Sequence, residues 1–243
     1  RYLLSNLASM SYASKIALPA ELGNSLALNL PPALFKPRDQ LVRISKDNNL
    51  EVGFLNVWRP LRNPMNWHPS EMKKGTRLWL LNLHYMEFIE TLSNENWFRF
   101  VQDWISVNKP YKNGYWLDDW NSYSLSIRVV VWMQQYERRG DSLLEVDKAI
   151  FLRSLVGQIK FLKSNLEFDI GGNHLVKNIK ALLWASHFFK GKEADCWREL
   201  GAKLLREAIE EQITPDGAHF ELSPAYHVQV FADFLECYSV LDD

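Results

Sequence analysis

Residues 122–140 read SYSLSIRVVVWMQQYERRG. Leu125, Val129, Trp132 and Tyr136 follow one another at steps of four, three and four, the spacing that lines one face of an α-helix. Ser122 is placed to cap the start, and Gly140 to end it. The same period continues on both sides. Upstream it joins Leu78, Leu81, His84, Tyr85, Phe88 and Leu92, then Trp97, Phe100, Val101, Trp104 and Ile105. Downstream it joins Phe151, Leu155, Ile159, Leu162 and Leu166.

Three more helices follow. One is expected from about His174 to Phe189, after Gly171-Gly172 and before Gly191. The next carries Ala194, Trp197, Leu204, Ala208 and Ile213 and stops at the turn Thr214-Pro215-Asp216-Gly217. The last starts at Ser223-Pro224, with Ser as cap and Pro in the first turn, and runs to Leu241. Helices recurring about every 25 residues with short loops pair antiparallel. Such pairs in series can close into an α/α toroid, while an open bundle or solenoid would show the same period.

Residues 1–75 differ. They hold Pro19, Pro31, Pro32, Pro37, Pro60, Pro64 and Pro69, with short apolar pieces at 41–44 and 52–55 between turn residues. The expectation is an N-terminal extension of extended or hairpin segments, with a short helix near residues 2–16, followed by a helical domain over 76–243.

The chain has 243 residues and a net charge of −1. That balance argues against a protein that coats nucleic acid or anionic membrane. No apolar run approaches the roughly 20 residues of a membrane span. Two cysteines, Cys196 and Cys237, exclude a disulfide scaffold and a cysteine-rich zinc site. His84, His187 and the other histidines lack metal-ligand spacing, so neither metal nor cofactor is expected. Ten Trp residues are an excess that fits either aromatic core packing or rings stacked on sugars. The start RYLLSNLASMSYASK has no secretion-signal pattern, and both ends read as cut, so a fragment is expected.

Polar groups gather at three helix starts, where free N–H groups and the helix dipole favour anions. The first is Gly171-Gly172-Asn173-His174, with Asn173 read as the cap. The second runs from Gly217 to His227 and places Tyr226 in a first turn, with His219, Glu221 and His227 close by. The third, Trp116 to Arg128, offers Trp120 and Tyr123 for stacking on a sugar and Arg128 for a carboxylate or sulfate. Each also has a purely structural reading as a cap, a packed ring or an Arg–Asp pair. Asp118, Asp119 and Glu221 could supply the paired carboxyls of a glycosidase. Phosphate-loop, dinucleotide, HExxH and GxSxG motifs are absent from the sequence.

In order along the chain stand FLNVWRPLRNPMNWHP (54–69), LHYMEFI (83–89), WNSYSLSIR (120–128), GNHLVKNIKALL (172–183) and DGAHFELSPAYH (216–227). Together they resemble the N-terminal domain of heparinase II/III-like polysaccharide lyases over about residues 50–241. The resemblance implies an all-α fold, an incomplete (α/α) toroid of antiparallel helix pairs with an irregular, Pro-rich N-terminal extension. It also implies a C-terminal β-sandwich domain missing from this chain, so that the chain alone is expected to be inactive. Family members are usually exported, which suggests a periplasmic or secreted protein.

The implied reaction is β-elimination on a uronic acid within an acidic polysaccharide. Asn173 and His174 match the residues that neutralise the uronate carboxylate, and Tyr226 matches the acid, which is also the base for one C5 epimer. His84, Tyr85, Trp120, Tyr123, Arg128, Asn178, Glu221 and His227 are the expected substrate-binding set. The near-zero charge suggests a lightly sulfated or unsulfated polymer, with Arg59, Arg62, Lys177, Lys180 and Arg128 as a local basic lining. A non-catalytic glycan-binding toroid and a toroidal glycosidase are the alternatives.

Overall fold

The computed structural model describes residues 41–69, 77–112 and 114–241. The short helix expected near residues 2–16 lies outside them. The described chain opens with an antiparallel meander of β1 (Val42–Ile44), β2 (Leu50–Phe54) and β3 (Val57–Pro60), in the order β1-β2-β3. Val42 pairs with Val52, and Gly53 with Trp58. Gly53 has no side chain for a steric reason: a β-carbon there would lie 2.4 Å from the Trp58 ring. The meander is fastened to the helices by aromatic packing. Phe54 meets Trp79 edge to face at 5.3 Å, and Trp79 Nε1 donates to the Val57 carbonyl at 2.9 Å. Beyond it, Met65 N and Trp67 Nε1 both donate to one Asp103 oxygen at 2.8 Å.

Seven helices follow among the described residues: α1 (Arg77–Tyr85), α2 (Trp97–Val107), α3 (Ser122–Arg139), α4 (Glu145–Lys163), α5 (Gly172–Phe188), α6 (Lys192–Gln212) and α7 (Pro224–Ser239). The α1, α3, α5 and α7 helices touch in series, each meeting the next but one in the chain. The α2, α4 and α6 helices lie between them in sequence and cover them from one side, α4 touching α3 and α5, and α6 packing most heavily on α5. Each outer helix therefore returns the chain so that successive inner helices run the same way. This two-layer arc is what a series of antiparallel pairs makes, and it sets the starts of α3, α5 and α7 along one rim.

Burial decides the reading of the Trp excess. Trp67, Trp79, Trp97, Trp104, Trp132, Trp184 and Trp197 are all fully buried, so most of the indoles are core. Their mutual geometry is that of packed rings, such as Trp104 against Trp132 at 5.6 Å and 89°. The α3 helix is buried nearly all round, and its small Ser122, Ser124 and Ser126 allow close approach to its neighbours.

Three helix starts differ in detail from expectation. The cap of α3 is Asn121, whose side chain accepts from the N–H groups of Tyr123 and Ser124, while Ser122 turns its hydroxyl to the Asn165 carbonyl at 2.6 Å. The α5 helix begins at Gly172 with Gly171 in the cap position, so Asn173 is a first-turn residue and not a cap. Gly171, at φ 66° and ψ −149°, has a conformation that only glycine adopts without strain. Ser223 holds the cap position of α7, but its side chain makes no capping bond; Pro224 follows in the first turn as expected. The α7 helix ends at Ser239, slightly short of Leu241.

Candidate functional site

The rim formed by the starts of α3, α5 and α7 carries a connected set of side chains. The Tyr123 ring lies 4.4 Å from the His174 imidazole and 5.9 Å from the Tyr85 ring. Gln229, one turn into α7, donates to the Tyr123 hydroxyl at 3.1 Å. His174 Nδ1 stands 3.1 Å from Glu167 Oε1. Glu167 is clamped from behind: Asn178 Nδ2 donates to its Oε2 at 3.0 Å, and its own backbone N–H donates to Asn178 Oδ1 at 2.9 Å. Asn178 Nδ2 also donates to Ser126 Oγ at 3.0 Å, tying α5 to α3.

Tyr226 is exposed on the first turn of α7, and Asn173 is half-buried in the first turn of α5. With Gly171 in the cap position, no side chain caps the N–H groups of α5. Glu221 is exposed and reaches over this start; a β-carbon on Gly172 would lie 3.1 Å from its Oε1. A brace joins the starts of α5 and α7. Gln212 donates to the Gly172 carbonyl at 3.2 Å and its Oε1 meets His219 Nε2 at 3.2 Å, while the His219 N–H donates to His227 Nδ1 at 3.2 Å. His227 is thus engaged on the backbone of the preceding turn.

Electrostatics keep the inner phenols neutral. Burial pushes the Tyr123 hydroxyl up to about 12, with Asp233, Glu87 and Tyr226 adding to the effect and the Gln229 hydrogen bond working against it. Burial, then Tyr123 and nearby carboxylates, raises Tyr85 further. Both rings offer O–H groups at neutral pH.

Inward from the rim opens a cavity of about 760 Å³. Tyr85, Tyr123 and Gln229 line it near the rim, Trp58 from the sheet side, and Lys177, Lys180, Asp233, Glu236, Glu87 and Glu90 deeper along the helices. The lysines here are not a basic lining. Lys177 bonds Asp233 at 2.7 Å, and Lys180 bonds both Asp233, at 3.0 Å, and Glu236. Burial works to lower the Lys180 ammonium, but Asp233 and Glu236 outweigh it and raise it.

Four residues expected to bind substrate stand elsewhere. Arg128 is fully buried: Nε donates to Gln158 at 2.8 Å, Nη1 donates to the His84 carbonyl at 2.9 Å, and the guanidinium stacks 4.0 Å over Trp104. Burial brings it down to about 9, against the pull of Asp119. His84 is fully buried and accepts from Trp104 Nε1 at 3.2 Å; burial, then Arg128 and His68, holds it well below the usual imidazole range. Trp120 packs on Phe161 at 4.9 Å and donates to the Asn108 carbonyl at 3.2 Å. Asn178 lies behind the rim, fully buried. All four are buried: Trp120 in the turn before α3, His84 and Arg128 between α1, α3 and the second layer, and Asn178 against α3 and the Glu167 loop. The carboxyls suggested for a glycosidase are also dispersed. Asp118 pairs with Arg77 at 3.7 Å, and Asp119 is buried 3.8 Å from His68; neither lines the cavity.

Glu167 and Gln229 were not singled out from the sequence. Gln229 had a signal, since it follows Tyr226 by three residues and shares its helix face. Glu167 had none: it lies in the loop SNLEFDIGG, and only folding sets it against His174. Among the described residues no cluster of three or more His, Cys, Asp or Glu could hold a metal, and no helix is long and apolar enough to cross a membrane.

Comparison with known proteins matches residues 65–243 to the family described as Heparinase II/III N-terminus. A heparin-sulfate lyase of Bacteroides thetaiotaomicron is 28% identical over 145 residues, covering 58% of this chain and 20% of that protein. One from Pedobacter heparinus is 35% identical over 89 residues, covering 36% and 13%. Among solved structures, the heparan sulfate lyase HepC of Pedobacter heparinus superposes with a TM-score of 0.59 at 19% identity, over 98% of this chain and 39% of that one. A heparinase III superposes with a TM-score of 0.53 at 20% identity, over 99% and 39%. The matched stretch thus spans about a fifth or less of the curated relatives' length. These likenesses show the fold, an incomplete (α/α) toroid with a small sheet before it.

Proposed function

The chain belongs to the heparinase II/III family of polysaccharide lyases through its N-terminal domain, and we propose that it carries one wall of a β-elimination site for a uronic-acid-containing polysaccharide. The single observation that carries this reading is the convergence of helix starts: Tyr123 of α3 touches His174 of α5 at 4.4 Å and Gln229 of α7 at 3.1 Å.

Elimination needs the uronate carboxylate neutralised so that the C5 proton becomes acidic. It then needs a base for that proton and an acid for the departing glycosidic oxygen. Asn173 donates its amide to the carboxylate at the uncapped start of α5, where the helix dipole also favours negative charge. His174 stands beside it. Tyr226 gives its phenolic proton to the leaving oxygen and serves as base for one C5 epimer. For the other epimer the family resemblance supplies a histidine from a following β-sandwich domain. Tyr85 and Tyr123 line the substrate path as neutral donors. The relatives act on heparan sulfate by their names; here the paired Lys177 and Lys180 favour a lightly sulfated or unsulfated polymer.

The test is product analysis with the full-length protein on heparosan, heparan sulfate and other uronic acid polymers. The expected product is an unsaturated uronate, read by its ultraviolet absorbance. Asn173→Ala and Tyr226→Phe should each lower its formation by at least about 10²-fold, about 3 kcal/mol of transition-state stabilisation, with unchanged thermal unfolding. Near-normal activity in both variants would remove the assignment. New reducing ends without unsaturation would mean a hydrolase, and binding without product a lectin-like role.

A further inference from the structure

The lyase reading gives His174 a place but not a protonation geometry. Its Nδ1 lies 3.1 Å from Glu167 Oε1, its side chain is about one-third exposed, and its Nε2 has no hydrogen-bond partner among the described residues. Glu167 is nearly buried and cannot turn away. Its backbone N–H must meet an oxygen, which orients the Asn178 amide with Oδ1 toward that N–H and Nδ2 toward Glu167 Oε2 and Ser126 Oγ. His174 and Asn178 stand four residues apart on α5, one turn, so the carboxylate is held between them. A carboxylate fixed in this way only accepts hydrogen bonds.

We infer that Glu167 is a positioning residue: it holds neutral His174 as the Nδ1–H tautomer and leaves the Nε2 lone pair to the rim. The consequence for substrate handling rests on the lyase reading. Neutral His174 accepts from a sugar hydroxyl or phenol at Nε2, and it can donate to a uronate only as imidazolium. The tautomer itself is independent of any activity.

The buried amide makes the Glu167→Gln variant decisive. Asn178 Nδ2 is a donor, so the new side chain must turn its oxygen toward Asn178 and its NH₂ toward His174. Nδ1 then has to accept, and the proton moves to Nε2. The experiment is long-range ¹H–¹⁵N NMR on histidine-labelled protein at a pH where the ring is neutral. The sequence has six histidines, and His174 is assigned by its loss in His174→Gln. The expected result is mainly Nδ1–H in the native chain and mainly Nε2–H in Glu167→Gln. A native chain carrying Nε2–H overturns the inference, and so does a tautomer ratio unchanged in a folded Glu167→Gln. If the variant does not fold, the native tautomer alone decides. No substrate is present, so failure here is distinct from failure of the lyase reading, which the product assay judges.

Discussion

Glu90 offers a test of the cavity's electrostatics that needs no substrate. It lies in the short 3₁₀ turn Glu87–Thr91 and lines the cavity. Burial, and after it the neighbouring Glu87, push its carboxyl from 4.5 up to about 7, while Arg138 and Arg139 work the other way. Between those two values the folded chain holds a proton there that the unfolded chain has released. Stability is therefore fully present below about pH 4.5 and falls as pH rises through about 7. At about 1.36 kcal/mol per pH unit, an interval of about 2.5 gives an upper bound of about 3.4 kcal/mol. Partial exposure of the side chain screens this to about 2 kcal/mol.

Glu90→Gln keeps the shape and removes the charge. Urea denaturation of this chain should show the variant equal to the native protein near pH 4.5 and more stable by about 2 kcal/mol near pH 8.5. In thermal unfolding the gain is about 4–8 °C for a chain of this size. A difference that is the same at both pH values, or a variant less stable at high pH, would refute the argument. Such a result would mean that Arg138 and Arg139 hold Glu90 ionised.

Lys180→Met should be the most damaging of the remaining changes, because it removes the ammonium that bonds Glu236 and one of the two that bond Asp233. The expected loss is about 3–5 kcal/mol by chemical denaturation, and Lys180→Met/Glu236→Leu should recover part of it. A loss under about 1 kcal/mol would show that the cluster is well hydrated. Gly201→Ala should destabilise although it favours a helix by about 1 kcal/mol, since the new methyl meets buried Leu183 at 2.7 Å and overpacking costs about 1–3 kcal/mol. A more stable Gly201→Ala would show that the α5–α6 contact is loose. Asn121→Ala removes the cap of α3 and should cost about 1 kcal/mol, read as a lower urea midpoint with an unchanged slope.

The helices were readable because each carries its period locally. The SYSLSIRVVVWMQQYERRG stretch announces a helix and its end whatever surrounds it. The extended pieces at 41–44 and 52–55 likewise became β1 and β2, since alternation and turn residues act over a few positions. Caps were read less well. Asn121 and Ser122 are both good caps by type, and only the approach of Asn165 drew the Ser122 hydroxyl away. Asn173 looked like a cap because nothing in a one-dimensional string distinguishes it from a first-turn residue behind Gly171.

The sequence by itself determined the helical period, the Pro-rich lead and the motifs at the starts of α5 and α7, all of which depend on neighbours in the chain. Tertiary structure alone decided which polar groups face open space. Arg128, His84 and Trp120 carry the right chemistry for a sugar, but the second layer of helices buries them. Glu167 and Gln229 carry no motif, yet loop and helix geometry set them against His174 and Tyr123. Burial and charge pairing arise between residues tens of positions apart, as between Lys177 and Asp233, and local pattern has no term for such contacts.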